Sequence, residues 1–275
     1  MIIAIPSKFP NQLAERCPKL RLIQTFSAGT DSIDIKYLAE NGIKVANNFG
    51  QNAITVAEHT IGLMISVYRN LPIQFTETIK GNWHLNISEK LVNNELAEKK
   101  IGIIGFGQIG QKVAQRLQGW ECKLAYNDIV KFPKEIEEKF NIHFETKREI
   151  FLNSDIITLH VPLTPGTKSL VGKEELSLMK NSSILINTSR GAILDEEALE
   201  EALRNKDIAG AGLDVLVEEP NIKNDHRLLS IENLFITPHL AALSQESIPR
   251  IDKFMVNNVK RFLEGEPPIS IVKAE

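Results

Sequence analysis

Short apolar runs with little polar interruption alternate along most of the chain with stretches whose apolar residues recur at helical spacing. The runs predict strands at 101–105, 122–127, 155–161, 183–187, 209–215 and 234–237. Between them, helical periodicity covers 109–117, 173–179 and 196–204. Continuous apolar strands separated by helices belong to parallel sheets covered on both faces. Upstream lies a smaller α/β pattern, with strands at 2–5, 20–26 and 43–46. A long helix at 53–69 follows, with Ala57, Ile61, Met64, Ile65 and Tyr68 on one face. A last helix carries Ile251, Phe254, Met255, Val259, Phe262 and Leu263 at helical spacing, and it stops at Gly265 with Pro267 and Pro268 beyond. Pro249 either puts its start at Ser247, acting as the cap, or kinks it. The pattern predicts an α/β protein of two domains. Because the last helix returns past the central block, the smaller domain is expected to be discontinuous, 1–52 with 243–275, around a domain at 53–242.

The length of 275 residues agrees with about two domains at roughly 150 residues each. Lys plus Arg number 32 against 35 Asp plus Glu, a formal charge of −3, so there is no basic footprint for nucleic acid or an anionic membrane. Glu58 and His59 interrupt the longest candidate for a membrane span, and residues 1–6 have no basic segment of a secretory leader. Cys17 and Cys122, far apart and outside any C-x-x-C, read as reduced thiols of a cytoplasmic protein. The six histidines form no metal-ligand spacing with one another or with cysteine, so no metal is expected.

Gly105-Phe-Gly107-Gln-Ile-Gly110 ends the first strand of the central block and opens a helix. In that position each glycine has a physical role. Gly105 allows the tight turn, Gly107 the approach of a pyrophosphate, and Gly110 the packing of helix on strand. The N–H groups of Gln108 and Ile109 would face the phosphates with the helix dipole behind them. Asp128, 18 residues after Gly110 at the end of the next strand, is suited to the adenosine ribose hydroxyls. Its charge favours NAD(H) and disfavours the 2′-phosphate of NADP(H), while Lys131 nearby pulls the other way. Further along, Arg190, Asp214, Glu219 and His239 stand at or just beyond the ends of three successive predicted strands. In a parallel sheet those ends share one edge, outside which ligands bind. Arg190 offers a planar fork for a carboxylate and carbonyl, and His239 beside Glu219 is a suitable proton donor. Asp214 is placed to hold a nicotinamide carboxamide.

The residues 27–34, Thr55-Val-Ala-Glu-His-Thr60, the glycine fingerprint and His160-Val-Pro-Leu-Thr164 occur in an order continued by Asn187-Thr-Ser-Arg-Gly191, Asp214–Pro220 and Pro238-His239. In that order the sequence resembles the D-isomer-specific 2-hydroxyacid dehydrogenases, over nearly the whole chain. The resemblance implies a Rossmann-type doubly wound NAD-binding domain and a smaller flavodoxin-like substrate domain. It implies Arg190, Glu219 and His239 as the catalytic triad, with Glu219, not Glu218, directly before the proline. It also implies Ala28 and Gly29 as backbone donors to the substrate carboxylate, and Val161, Pro162, Thr167, Thr188, Ser189 and Asp214 as cofactor-contact positions. The substrate would be a small 2-hydroxy or 2-oxo acid of the glycerate, glyoxylate or phosphoglycerate class, its side group facing Ser7, Lys8, Phe9 and 27–30. The front departs from the pattern: one strand and one helix of the small domain are expected to be missing or replaced. With no regulatory segment after Glu275, a feedback-controlled phosphoglycerate enzyme is not expected. The apolar helix 53–69 and the arm 71–91, with Trp83 and Leu85, point to a two-fold homodimer, and His59 reads as a packed helix residue at a subunit contact. A formate- or phosphonate-oxidising relative is a weaker reading, since Gln replaces the triad Glu in the first and a Lys stands near Ala28 in the second. A non-enzymatic NAD-sensing corepressor of the same fold keeps the triad and stays open.

Overall fold

The computed structural model describes residues 2–5, 8–83 and 91–274; Ser7, His84 and Leu85 lie outside them. It divides into two compact units, 1–55 with 242–275, and 56–241. In the smaller unit β1 (Ile2–Ile5), β2 (Leu22–Thr25) and β3 (Lys44–Ala46) form a parallel sheet in the order β1–β2–β3. The helices α1 (Asn11–Glu15) and α2 (Ile35–Glu40) connect them. Phe9, Leu20, Ile23, Leu38 and Val45 make the core of this unit.

The larger unit begins within α3 (Ala53–Tyr68) and continues through α4 (Leu71–Ile79). Its strands are β4 (Lys100–Ile104), β5 (Lys123–Asn127), β6 (Ile142–Phe144), β7 (Ile156–Leu159), β8 (Ile184–Asn187), β9 (Gly210–Leu213) and β10 (Leu234–Ile236). All seven are parallel, in the order β10–β9–β8–β7–β4–β5–β6. Between them run α5 (Gln108–Leu117), α6 (Lys134–Phe140), α7 (Lys147–Asn153), α8 (Lys173–Leu178) and α9 (Glu196–Asn205). Successive strand residues feed opposite cores, as the two-residue period requires. Ile101, Ile103, Ile156, Ile184 and Ile186 pack with α3 and α5, while Ile157, Leu159, Leu185 and Leu213 pack with α7, α8 and α9. The sheet is therefore doubly wound. Its order reverses between β4 and β7, and the crevice at such a reversal is where ligands bind.

Most strands are shorter than the apolar runs: β7 keeps Ile156–Leu159 of the run 155–161, and β9 keeps Gly210–Leu213 of the run 209–215. The periodicity reading did not include β6, α6 or α7: β6 has three residues with only Ile142 buried, too short to show a period. The helix α10 (Ser247–Leu263) starts at Ser247, with Glu246 in the cap position and Pro249 in the first turn, where its missing N–H is harmless. Ser247 takes part in that start by a reciprocal pair, its hydroxyl accepting from Ser244 N–H and its N–H donating to Ser244 Oγ. Both cysteines are free thiols, and burial pushes Cys122 up to about 11. Among the described residues, no helix is long and apolar enough to cross a membrane.

A buried amide fixes α10 in the smaller unit. Asn258, with no exposed surface, donates to Gln24 Oε1 on β2 at 2.9 Å and to Ile269 O at 2.9 Å, and accepts from Ile269 N–H at 2.8 Å. Asn258→Ala removes three hydrogen bonds, one of them to the buried Gln24, a loss on the order of 3 kcal/mol. The urea midpoint should fall accordingly, while the exposed Lys253→Ala shifts stability by less than about 0.5 kcal/mol.

Candidate active site

The carboxyl ends of six neighbouring strands line one edge of the larger sheet. In spatial order they carry Asp128 after β5, the glycine loop after β4, Val161 and Pro162 after β7, Thr188–Arg190 after β8, Asp214 after β9 and His239 after β10. At roughly 4.8 Å per strand the row spans about 24 Å.

At one end, Gly105 adopts φ +93°, and a Cβ there would lie 2.6 Å from the backbone oxygen of His160. A Cβ on Gly110 would lie 2.2 Å from the oxygen of Gly105, so the helix rests directly on the turn. At Gly107 an added Cβ would meet nothing within 4 Å, and α5 starts there without a side-chain cap. Open space in front of uncapped first-turn N–H groups is what a dinucleotide pyrophosphate requires, so the residues present fit that group. Asp128 is already tied to the loop: Oδ2 accepts from Phe106 N–H at 2.7 Å and Oδ1 from Val130 N–H at 3.2 Å. Each oxygen keeps a lone pair for another donor. Lys131, the neighbouring cation, holds its ammonium 5.5 Å from the centroid of the Phe144 ring. Thr167 supports the β7 loop, donating to Pro162 O at 2.6 Å and accepting from Thr164 N–H at 2.8 Å.

At the other end, Asn187 shapes the turn that carries Arg190. It accepts from Ser189 N–H at 3.0 Å and Ser189 Oγ at 2.7 Å, and donates to Arg190 O at 2.9 Å. The Thr188 hydroxyl is 3.0 Å from that of buried Thr60 on α3. Gly191 then presses against the next loop, since a Cβ there would lie 2.2 Å from the carbonyl carbon of Leu216. Buried Glu196 accepts from Val217 N–H at 2.7 Å, fixing the segment that leads to Glu219. His239 Nδ1 donates to Glu219 Oε1 at 2.6 Å, which leaves Nε2 as its other reactive nitrogen. His239 itself has φ +53°, a left-handed conformation that costs a non-glycine residue about 1–3 kcal/mol and needs support.

Asp214 supplies that support. It is 1% exposed, and its backbone oxygen accepts from His239 N–H at 2.8 Å. Its carboxylate accepts from the Thr237 hydroxyl at 2.6 Å, Leu240 N–H at 3.0 Å and Ala241 N–H at 2.9 Å. His59 on α3 joins the cluster, with Nε2 2.9 Å from Thr237 Oγ1. His59, read from the sequence as a packed helix residue, thus also has a polar partner after β10. Sequence reasoning also passed over Asn187, Thr237 and Glu196 as working groups, although Asn187 opens the Asn187–Gly191 motif and Thr237 ends a predicted strand. In the smaller unit, the oxygens of the Phe26–Gly29 loop are held by side chains. Asn48 donates to Phe26 O, Thr25 to Ser27 O, Asn47 to Ala28 O and Ser27 to Gly29 O.

The hydrogen bond to Glu219 raises the His239 pKa above the usual 6.5, more than burial lowers it; Glu219 and Asp214 add to the rise through their charge and Arg190 opposes it. Among the described residues, no group of three or more His, Cys, Asp or Glu side chains is placed to hold a metal.

A family profile described as "D-isomer specific 2-hydroxyacid dehydrogenase, NAD binding domain" matches residues 61–241. A D-3-phosphoglycerate dehydrogenase of Methanocaldococcus jannaschii is 34% identical over 274 residues, 99% of this chain but 51% of that protein, so the chain spans about half its length. A glycerate dehydrogenase of Methylorubrum extorquens is 37% identical over 96% of this chain and 83% of its own length. Among solved structures, an acyclic imino acid reductase in complex with NADPH and D-Arg superposes with a TM-score of 0.89 at 30% identity, covering 99% of this chain and 85% of that one.

The electrostatics give an outcome that can be read without turnover. In a proton NMR titration His239 should titrate above 6.5, and Glu219→Gln should move it down by removing the carboxylate that favours the imidazolium. An unchanged titration would mean that the pair does not control this histidine.

Proposed function

This chain belongs to the D-isomer-specific 2-hydroxyacid dehydrogenase family, and from that premise we propose that it reduces a small 2-oxo acid to the 2-hydroxy acid, and catalyses the reverse, with a nicotinamide dinucleotide. The observation that carries the reading is the 2.6 Å contact of His239 Nδ1 with Glu219 at the end of the sheet edge away from the Asp128 and glycine-loop end. The substrate class is that of glycerate, glyoxylate or phosphoglycerate.

A bound dinucleotide supplies or accepts the hydride at the substrate carbon. Gly105, Gly107, Gln108, Ile109 and Gly110 would hold its pyrophosphate and Asp128 its ribose. Val161, Pro162, Thr167, Thr188, Ser189 and Asp214 would line the rest. In reduction, the His239 imidazolium gives the proton on Nε2 to the carbonyl oxygen, and in oxidation it takes that proton back. Glu219 keeps Nδ1 protonated, so the ring faces the substrate through Nε2 in both states. Arg190 anchors the substrate carboxylate and polarises the carbonyl with the same planar fork. Ala28 and Gly29 are the proposed backbone N–H donors to a substrate carboxylate. The larger unit serves as the NAD-binding domain and the smaller one as the substrate domain.

A homodimer is part of the proposal. Leu71, Phe75, Ile79 and Trp83 recur every fourth residue along and just past α4, and all are exposed, Phe75 and Ile79 at 70% each. Within α4 the four-residue spacing puts Leu71, Phe75 and Ile79 on one side, and with Trp83 exposed beyond the helix they offer apolar surface suited to a second copy.

An NADH-oxidation screen with hydroxypyruvate, glyoxylate, pyruvate, 2-oxoglutarate and phosphohydroxypyruvate tests the activity. With the acid that turns over, His239→Ala should lower kcat about a hundredfold or more while leaving NADH affinity within a few-fold. A His239→Ala variant as fast as the parent overturns the mechanism. A parent that binds NADH and reduces none of the acids favours the sensor reading. Asp128 should make NADH more efficient than NADPH in the same assay. Asp128→Ala should narrow that gap and also weaken NADH, since the carboxylate holds Phe106 N–H. Equal efficiency of the two cofactors in the parent would overturn the assignment of Asp128.

A further inference from the structure

His59 reaches the active-site edge through a match between a helix and a strand. His59, Leu63 and Val67 form one row on α3, each four residues from the next. Leu63 and Val67 lie against the glycines of β9: a Cβ on Gly212 would come within 3.3 Å of both, and one on Gly210 within 3.0 Å of Val67 Cγ1. Four residues of helix advance about 6 Å, and two residues of strand about 6.6 Å. The row therefore keeps step with alternate positions of β9. The next member after Leu63 is His59, and the next position after Gly212 is Asp214.

The hydrogens there are determined by count. The Thr237 hydroxyl has one proton, and the 2.6 Å contact assigns it to Asp214 Oδ1. Thr237 Oγ1, its own proton so committed, is 2.9 Å from His59 Nε2 and therefore accepts from that nitrogen, and Nε2 carries hydrogen whatever the charge of the ring. His59 Nε2 also lies 3.5 Å from Asp214 Oδ1. Glu58, next to it on the helix, is paired instead with Arg116 on α5 at 2.8 Å. A carboxylate buried as deeply as Asp214 depends on every donor around it, since an unsatisfied buried charge is costly. What that carboxylate organises is the backbone on which His239 stands.

We propose that His59 is a positioning residue for the reaction: its Nε2–H, relayed by the Thr237 hydroxyl onto Asp214, holds the His239–Ala241 backbone so that His239 meets the substrate in one orientation. This rests on the reading of His239 as the proton donor. Thr60, the next residue on α3, meets Thr188 two residues before Arg190. One turn of one helix thus braces both strand-end loops that carry the chemistry.

The test uses the full chain and the most active oxo acid. His59→Phe keeps an aromatic ring and removes the donor; it should lower kcat about tenfold or more, as small misplacements of a catalytic group do, with NADH affinity within about twofold. His59→Gln, whose amide donates at a similar reach, should recover most of the loss. Thr237→Val should lose as much as His59→Phe, and the double variant no more than either alone, the signature of one shared path. If His59→Phe does not fold, Thr237→Val and His59→Gln carry the same comparison. Nitrogen-15 NMR of the parent should show hydrogen on His59 Nε2 in the neutral ring. A His59→Phe variant with the parent's kcat, losses that multiply in the double variant, or a neutral His59 with hydrogen on Nδ1 alone each overturns the positioning role and leaves the proposed activity standing. A parent that turns over no 2-oxo acid overturns the activity, and this proposal with it.

Discussion

Asp214 is a carboxylate with almost no access to water, at the end of a strand in the middle of one half of the sheet. Such a group survives in an apolar interior only when its lone pairs are filled by donors. The donors come from the loop after β10: a hydroxyl two residues before His239 and the two N–H groups after it. The loop thus closes around the charge, and the backbone at His239 is carried into a left-handed conformation that it would not keep unaided. The position of the proposed proton donor is a consequence of satisfying a buried anion.

The rest of the edge follows from close packing where side chains are absent. Gly110 rests on Gly105, Gly191 on Leu216, and β9 exposes glycines to α3. Each contact brings backbone to backbone, or helix to strand, at a distance a methyl group would prevent. Those short distances align the glycine loop, the Arg190 turn and the Glu219 loop along one line of strand ends. Polar side chains then lock each turn, as Asn187 does for the segment up to Arg190 and Glu196 for that before Glu219.

Charge is used differently at the two ends of this line. At His239, a carboxylate partner raises the basicity of the ring, so a proton is held ready above the ordinary imidazole range. At the glycine loop the protein offers neutral N–H dipoles and keeps the Asp128 carboxylate bound to the loop backbone. In the proposed complex the dipoles would face the phosphates, and Asp128 would receive a ribose hydroxyl.

The α/β class and most strand positions were legible in the sequence because a doubly covered parallel strand must be apolar along its whole length, and such runs stand out. The fingerprint at Gly105–Gly110 and the order Arg190, Asp214, Glu219, His239 were legible for a similar reason: a parallel sheet puts every strand's far end on the same edge, so strand order in sequence predicts neighbourhood. The short β6 and the amphipathic α6 and α7 were not, since a three-residue strand has no period and surface helices carry few apolar positions. Nor was the work of His59. Its place beside Glu58 in an apolar helix suggests packing, and only the registration of α3 on the glycine face of β9 carries it to Thr237 and Asp214. Local sequence determined which elements form and which residues stand at their ends. The tertiary structure decided which side chains from distant elements share a hydrogen, because that depends on a helix-to-strand register that neither segment encodes alone.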